Sequence, residues 1–204
     1  VRPSKSLGLL YDHRDDGAQI TKMVAIKSST FGDLVEMEKS SLSPRSRKLF
    51  TLSAIHSANN ALLNGIQVKN IEEAANLSIQ FWDELGKHIK EWKQVKDSKV
   101  TAGDIRRDFV HSHAIVLQAI GTMGNKLLSL SKTEQKKRLK FLEKINWKRS
   151  NSRIWEGRAM IGGRIQKGSN NVVLTANYLK KQLGLELSPE EQRSNDAFQR
   201  GKNV

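Results

Sequence analysis

Apolar residues recur at steps of three and four positions along most of this chain, which is the spacing of one face of an α-helix. Capping residues mark where helices start, including Ser43 before Pro44, Asn70, and Ser131 with Glu134 three residues later. Prolines are few, and the long alternating Val/Ile/Thr runs that build sheets are absent. The sequence therefore predicts a mainly α fold, a compact multi-helix domain.

Four long helices follow from these signals. They are expected over residues 44–64, 71–95, 104–130 and 132–145. Gly121 and Gly124 are expected to let another helix approach closely. Glycines interrupt the pattern later, which predicts a short extended or loop-rich segment near 146–174, with 172–174 as its extended part. Two shorter helices should follow, the second starting at Pro189, before a loose tail at 195–204.

The length and composition narrow the class of protein. A chain of 204 residues buries roughly 70% of the surface that its unfolded form exposes, so 1–204 is expected to be a single domain. Because it starts with Val1 and not methionine, we expect it to be a fragment of a longer protein. The absence of cysteine excludes disulfides, thiolate zinc sites and a cysteine nucleophile. No apolar run approaches the ~18 residues of a membrane span, so a cytoplasmic protein without a membrane partner is expected.

Positive charge is concentrated in one part of the chain, residues 132–167, which we call the basic segment. It holds twelve Lys/Arg against three acids, a balance of +9 in a chain whose net charge is +14. Trp147 and Trp155 lie within it. Concentrated charge of one sign is typical of a surface that meets a polyanion, most often nucleic acid.

The basic segment therefore predicts a face that binds duplex DNA. Arginine binds phosphate bidentately, and lysine acts as a point charge that releases counterions. The predicted nucleic-acid-binding residues are Lys132, Lys136, Lys137, Lys140, Lys144, Lys148, Arg149, Arg153, Arg158, Arg164 and Lys167. Phosphate contacts carry no sequence information, so base contacts are assigned to a glycine-flanked loop that holds Arg164, Lys167, Asn170 and Asn171.

Simpler interpretations of the same residues stay open. A lysine-rich helix face is often only a solvated surface, although the charges here are barely mixed in sign. We favour Trp147 and Trp155 as core anchors over a role as base-stacking platforms. On the 132–145 helix, Phe141 is expected to point inward with the apolar side.

Other patterns that could carry chemistry are weak. His111 and His113 stand two apart on a predicted helix and point in different directions, so they cannot share one metal ion. The acids between Asp12 and Asp16 are explained by a helix start. The glycines of GRAMIGGRIQKGS lack the Gly-Lys-Ser/Thr of a phosphate-binding P-loop. We therefore predict that the chain is not an enzyme and holds no metal and no cofactor.

Two phrases of the chain resemble a known family. The opening VRPSKSLGLLYDHRDD resembles the stretch that follows the Asp-x-Asn segment in DndB, the DNA sulfur modification protein of bacterial phosphorothioation gene clusters. IWEGRAMIGGRIQKGSNNVVLTANYLKKQLGLELSPEEQ resembles the C-terminal region of that family. The DGQHR signature of the family is absent, so the resemblance assigns this chain to the C-terminal portion.

The resemblance implies a DNA-binding transcriptional regulator that represses the phosphorothioation genes and does not itself install sulfur. Its implied partner is promoter duplex DNA, with a homodimer and proteins of the modification system as further partners. The rival hypothesis is an interaction module that docks acidic partner proteins. A third class, an enzyme acting on nucleic acid, has only the N-terminal acids in its favour.

Overall fold

A computed structural model describes residues 4–202, and these form a mainly helical structure, as predicted. The α-helices are α1 (Lys5–Tyr11), α2 (Asp16–Lys27), α3 (Leu52–Leu63), α4 (Ile71–Gly86), α5 (Lys90–Lys96), α6 (Ala102–Asp108), α7 (Ala114–Leu127), α8 (Lys132–Leu139), α9 (Ser152–Trp155), α10 (Ser169–Gln182) and α11 (Pro189–Lys202). Two 3-10 helices cover Gly32–Leu34 and Lys140–Lys144.

Four two-residue strands form two small sheets. The strands are β1 (Val35–Glu36), β2 (Phe50–Thr51), β3 (Met160–Ile161) and β4 (Arg164–Ile165). The β1 and β2 strands pair in parallel, with Val35 opposite Phe50. The β3 and β4 strands form an antiparallel hairpin, with Met160 opposite Ile165.

Helix α7 lies at the centre of the fold. It packs against α3 on one side and against α10 on another, while α2 packs on α3 and α4. A Cβ atom at Gly121 would lie 2.2 Å from the carbonyl oxygen of Ala58, so only glycine allows α3 to come this close. Gly124 does the same for the Phe81 ring, at 2.3 Å. The predicted role of both glycines is confirmed.

A continuous line of rings, which we call the aromatic row, crosses the core. Neighbouring ring centroids in it lie 5.1–5.8 Å apart, in edge-to-face or stacked arrangements. In order, its members are Phe31, Phe50, Trp92, His111, Trp147, Trp155 and Tyr178. Trp147 and Trp155 are buried and stack on each other at 5.4 Å, so the prediction that they anchor the core is confirmed.

His111 is the polar member of the aromatic row. Trp92 Nε1 donates to its Nδ1 (3.1 Å), so the proton is on Nε2, which lies 3.3 Å from Oε2 of Glu91. Complete burial lowers the pKa of His111. His113 Nε2 instead pairs with the carbonyl oxygen of Arg106 (2.9 Å). The two histidines therefore make separate structural contacts, although they lie in the break between α6 and α7 and not on one helix as expected.

The predicted long helices are divided where tertiary contacts compete with helix geometry. The helix expected from Pro44 begins only at Leu52, because Leu49 and Phe50 run extended beside β1, where the Leu49 N–H donates to the Leu34 carbonyl. The helix expected over 71–95 ends at Gly86, against Thr30, and resumes as α5. The helix expected over 104–130 breaks at residues 109–113.

Two further expectations for the C-terminal part are wrong. Residues 172–174 are helical, because α10 starts at Ser169, so the loop-rich segment narrows to α9 and the β3–β4 hairpin. The expected loose tail is helix through Lys202, and α11 is held by the Asn177 amide, which donates to the Glu191 carbonyl (3.0 Å). Residues 203–204 lie outside the described part.

Replacing Gly121 by alanine should lower the free energy of unfolding by about 1–3 kcal/mol, because its methyl group would overlap the Ala58 carbonyl and push α3 from α7. Gly8→Ala in α1 is the matched control, since nothing lies within 4 Å of the added Cβ. That change should stabilise by up to about 1 kcal/mol through helix propensity. Urea denaturation measures both; equal effects of the two substitutions would contradict the close contact.

Candidate nucleic-acid interface

The first part of the basic segment folds as an amphipathic helix. Ser131 Oγ accepts from the Glu134 N–H (3.2 Å) and caps α8, which continues into the 3-10 helix. Leu139 and Leu142 are buried, while the lysines of both helices are exposed. Phe141, expected inside, is 39% exposed, and its ring carries the Lys144 ammonium 5.0 Å from the centroid.

Two neighbouring grooves run along this face. The first, of about 340 Å³, lies between α4 and α8 and has Lys87, Lys132 and Lys136 in its lining. The second, of about 580 Å³, lies between the α4–α5 junction and residues 142–148. Because Lys87 lines both grooves, the lysines of the two grooves form a single run of cations. We call this run the lysine strip: Lys87, Lys90, Lys132, Lys136, Lys144 and Lys148.

The acids that line the same grooves are bound to protein groups. Glu84 pairs with Lys87 (2.7 Å), and the hydrogen bond from Lys87 holds the pKa of Glu84 below its ordinary value. Glu143 Oε1 lies 2.6 Å from His88 Nδ1, and Glu91 Oε2 lies 3.3 Å from His111 Nε2. Asp83 accepts from Ser28 Oγ (2.6 Å). Within residues 4–202, Lys87 is the one strip lysine with an ion-pair partner, and the other five strip lysines are exposed.

Lys87 and Lys90 were missed in the sequence analysis. The stretch Lys87–Lys96 holds four lysines in ten positions, a signal comparable in density to the basic segment. Lys87 follows the end of α4 at Gly86 and Lys90 begins α5, and both line the second groove together with Lys144 and Lys148.

Other predicted site residues are separated from the lysine strip or bound within the protein. Arg149 donates to the carbonyls of Arg107 (3.2 Å) and Gly163 (3.0 Å), and so ties the hairpin to the end of α6. Lys167 is exposed but lines a different cleft. Four more predicted cations are exposed in the structure: Lys137, Lys140, Arg153 and Arg164.

The prediction that Arg158 contacts nucleic acid is corrected, because this side chain lies in the core. It is 8% exposed, and its guanidinium lies 5.0 Å from the Tyr178 ring centroid and 4.7 Å from that of Phe198. Its Nη1 donates to the Ile154 carbonyl (2.6 Å), and burial lowers its pKa. An arginine enclosed by two rings and a carbonyl joins α9, α10 and α11 and does not reach phosphate.

The assignment of base contacts is also corrected in part. Asn171 is buried and its amide donates to the Arg158 carbonyl (2.6 Å), so it has a structural role. Asn170 is exposed in the first turn of α10, and Arg164 is exposed on β4. The expected single loop is thus a hairpin followed by a helix start.

The tip of the β3–β4 hairpin is fixed by a carboxylate. Gly162 and Gly163 have φ of +58° and +71°, the left-handed conformation of a tight hairpin turn that glycine adopts without strain. Both glycine N–H groups donate to the side chain of Glu156, at 3.2 Å for Gly163. The turn that carries Arg164 is therefore held from within the fold.

The N-terminal acids act as caps. Asp15 Oδ1 accepts from the Ala18 N–H (2.6 Å) and starts α2. Asp12 Oδ1 accepts from the N–H groups of Arg14 (2.9 Å) and Asp15 (3.0 Å), and these bonds lower its pKa. The helix-start explanation of these acids is confirmed.

The fold and this surface define a helical protein with two neighbouring grooves that are lined by exposed lysines. The family model for DndB, described as DNA-sulfur modification-associated, matches residues 1–186 of the 204. The chain belongs to this family, as its two sequence phrases indicated. No curated protein and no solved structure matches it. None of the helices within residues 4–202 is long and apolar enough to cross a bilayer.

Arg158→Gln should lower the free energy of unfolding by about 1–3 kcal/mol, because it removes two cation–π contacts and a charged hydrogen bond. Arg164→Gln, an exposed arginine in the same segment, should change stability by less than about 0.5 kcal/mol. Thermal or urea unfolding of both variants checks this. A silent Arg158→Gln would return Arg158 to the set of surface cations.

Proposed function

We propose that this chain is a DNA-binding regulator of a DNA phosphorothioate modification gene cluster, and that it holds duplex DNA through the lysine strip. The family's association with DNA sulfur modification supports the biological setting. The observation that carries the proposal is the convergence of Lys87 and Lys90 with lysines of the basic segment along two joined grooves. We propose further that the regulator is a cytoplasmic repressor without catalytic activity of its own.

The charge arrangement supports contact with phosphates. A row of ammonium groups on helices can follow a backbone with one charge per about 1.7 Å of duplex, and each lysine that neutralises a phosphate releases counterions. Six such contacts give a dependence of log K on log[salt] with a slope of about −5. The Glu84–Lys87 pair makes the effective number of contacts closer to five.

Sequence preference requires contacts other than these. Lysine contacts to phosphates position a protein on the duplex and do not distinguish promoters. Arg164 on the fixed hairpin and Asn170 at the start of α10 are exposed groups that could contact base edges. Two-fold binding by a homodimer would place two such hairpins on one operator.

A triple variant with glutamine in place of Lys90, Lys136 and Lys148 should bind any duplex roughly 10- to 100-fold more weakly. Its slope of log K against log[salt] should be shallower by about 3. Lys5 and Lys39 exchanged for glutamine are the control, since both are exposed and lie in the region where α1 meets the residues after β1. Fluorescence anisotropy at several salt concentrations gives both values. Equal losses per charge removed in the two variants would reduce the proposal to a net-charge effect.

An acidic partner protein is the second candidate, because the grooves have apolar floors. Phe81 and Leu139 line the first groove, and Phe109, Ile145 and Trp147 line the second. Apolar anchors beneath a rim of lysines would suit an acidic amphipathic helix. In that case the triple variant loses the partner in a pull-down, and its retention of DNA does not differ from that of the wild-type chain.

A gel shift that compares the cluster's own promoter with unrelated duplex, at two salt concentrations, separates the hypotheses. Tighter retention of the promoter at both concentrations is the expected result, because a regulator must select its operator. Equal retention of both duplexes would leave only generic electrostatic binding. No retention of either duplex would favour the docking function.

A further inference from the structure

The tip of the β3–β4 hairpin presents an isoleucine and an arginine side by side. Met160 and Ile165 form the inner pair of the hairpin, where Met160 is buried and Ile165 is half-buried. Because side chains alternate between the two faces of a strand, the next pair, Ile161 and Arg164, points outward. Ile161 is 54% exposed, and Arg164 is exposed as well. The Cβ atoms of such a pair lie about 5 Å apart, so the two side chains form one surface.

The turn between these two residues has no side chains and stands clear of the rest of the protein. Gly162 and Gly163 form it, and a Cβ atom at either position would find nothing within 4 Å. Glycine is used where a backbone must approach a ligand closely. A tip of this kind suits the minor groove of B-DNA, about 6 Å wide, whereas the major groove, about 12 Å wide, is read by the side chains of a helix or a longer ribbon.

The surroundings of the tip are positively charged. Residues 146–171 hold six Lys/Arg, of which only Arg158 is buried, and a single acid, Glu156. The carboxylate of Glu156 accepts from both N–H groups of the turn. Among the described residues, the Arg164 guanidinium has no carboxylate partner. The charge at the tip is therefore complementary to a polyanion.

The hairpin lies next to one end of the lysine strip. Arg149 donates to the Gly163 carbonyl at the tip (3.0 Å), and it directly follows the strip residue Lys148 in sequence. The backbone here is fixed, because Lys148 forms a β-bridge with Phe109 and the Arg149 N–H donates to the Asp108 carbonyl (2.8 Å). A duplex whose phosphates lie along the strip therefore has the hairpin beside one of its grooves.

We propose that the hairpin tip enters the minor groove of the bound duplex and bends it, an inference that rests on the proposed DNA-binding function. Ile161 is the wedge that partly separates two base pairs, and Arg164 lies in the groove beside it. Apolar wedges of this kind kink a duplex by about 20–90°. Arginine is attracted by the negative potential of a narrow A·T minor groove. The hairpin thus selects flexible A·T steps by their shape, which the lysine contacts to phosphates do not do.

Bending and binding of the full chain are measured together on a duplex of about 25 base pairs that carries a donor and an acceptor dye at its ends and a central T-A step within A·T pairs. Binding of the wild-type chain should raise the energy transfer, because a kink brings the ends closer together. Ile161→Ala should lose most of this rise and bind about three- to tenfold more weakly. Ile26→Ala is the matched control, since this isoleucine is 68% exposed on α2, and it should change neither value.

Exchanges of the central base pairs identify the groove. G·C pairs place the guanine amino group in the minor groove, so they should weaken both binding and bending. Inosine·C pairs lack that amino group but keep the major-groove acceptors of guanine, and they should therefore behave like A·T pairs. Arg164→Gln should reduce the preference for the A·T duplex over the G·C duplex about three- to tenfold. Inosine·C pairs that behave like G·C pairs would place the hairpin in the major groove and overturn the proposal.

Circular dichroism melting checks that each variant is folded, and Arg164→Gln with the three duplexes carries the test if Ile161→Ala unfolds. Binding without a rise in energy transfer, or a rise that Ile161→Ala retains in full, would overturn the hairpin inference and leave the proposed function intact. No duplex binding by the wild-type chain would overturn both. The Lys90, Lys136 and Lys148 triple variant should weaken binding to all three duplexes by the same factor and still bend the A·T duplex at saturation.

Discussion

The contacts of His111 with Trp92 and Trp147 form the junction at the middle of the aromatic row. Trp92 donates to one nitrogen of His111 and Glu91 faces the other, while the rings of Trp92 and Trp147 meet the imidazole edge to face. On one side the aromatic row leads to β2 and the turn after α2, and on the other it leads into the basic segment and α10. No aliphatic replacement could partner the buried Trp92 N–H and the buried Glu91 carboxylate, and leaving either group unpartnered in the core is costly.

This junction also positions the charged surface. Trp147 is buried in the row while its neighbour Lys148 points outward, and Ile89 is buried next to exposed Lys90. The core contacts of the tryptophan and isoleucine therefore determine where these lysines stand. The lysine strip is made of segments that are more than forty residues apart in sequence, and central packing brings them together.

Local signals in the sequence were sufficient for helix content and for several starts. Asn70, Ser131 and Asp15 cap helices as their side-chain chemistry predicts. The breaks at Gly86 and Phe109 were not predictable in this way, because they depend on Thr30 and on pairing with Lys148, both far away in sequence. The three- and four-residue spacing of apolar residues continues across such breaks, because the helix on each side of a break still has an apolar face.

For the candidate site, too, one part could be predicted from the sequence and another part could not. Counting charges located the basic segment but gave no information on burial, so Arg158, which two rings enclose, was counted with Lys136, which faces solvent. Lysine on a helix flank keeps its head in water, whereas arginine is the more readily buried cation.

The Glu156 carboxylate has a consequence for the hairpin beyond holding its shape. Two consecutive glycines would ordinarily leave a surface turn free to sample many conformations, and fixing a residue's backbone costs about 1–2 kcal/mol in entropy. Here the N–H groups of Gly162 and Gly163 are already held, so that cost has been met during folding. A molecule that docks on this hairpin would need to immobilise only side chains such as Arg164. Its binding would therefore cost less conformational entropy.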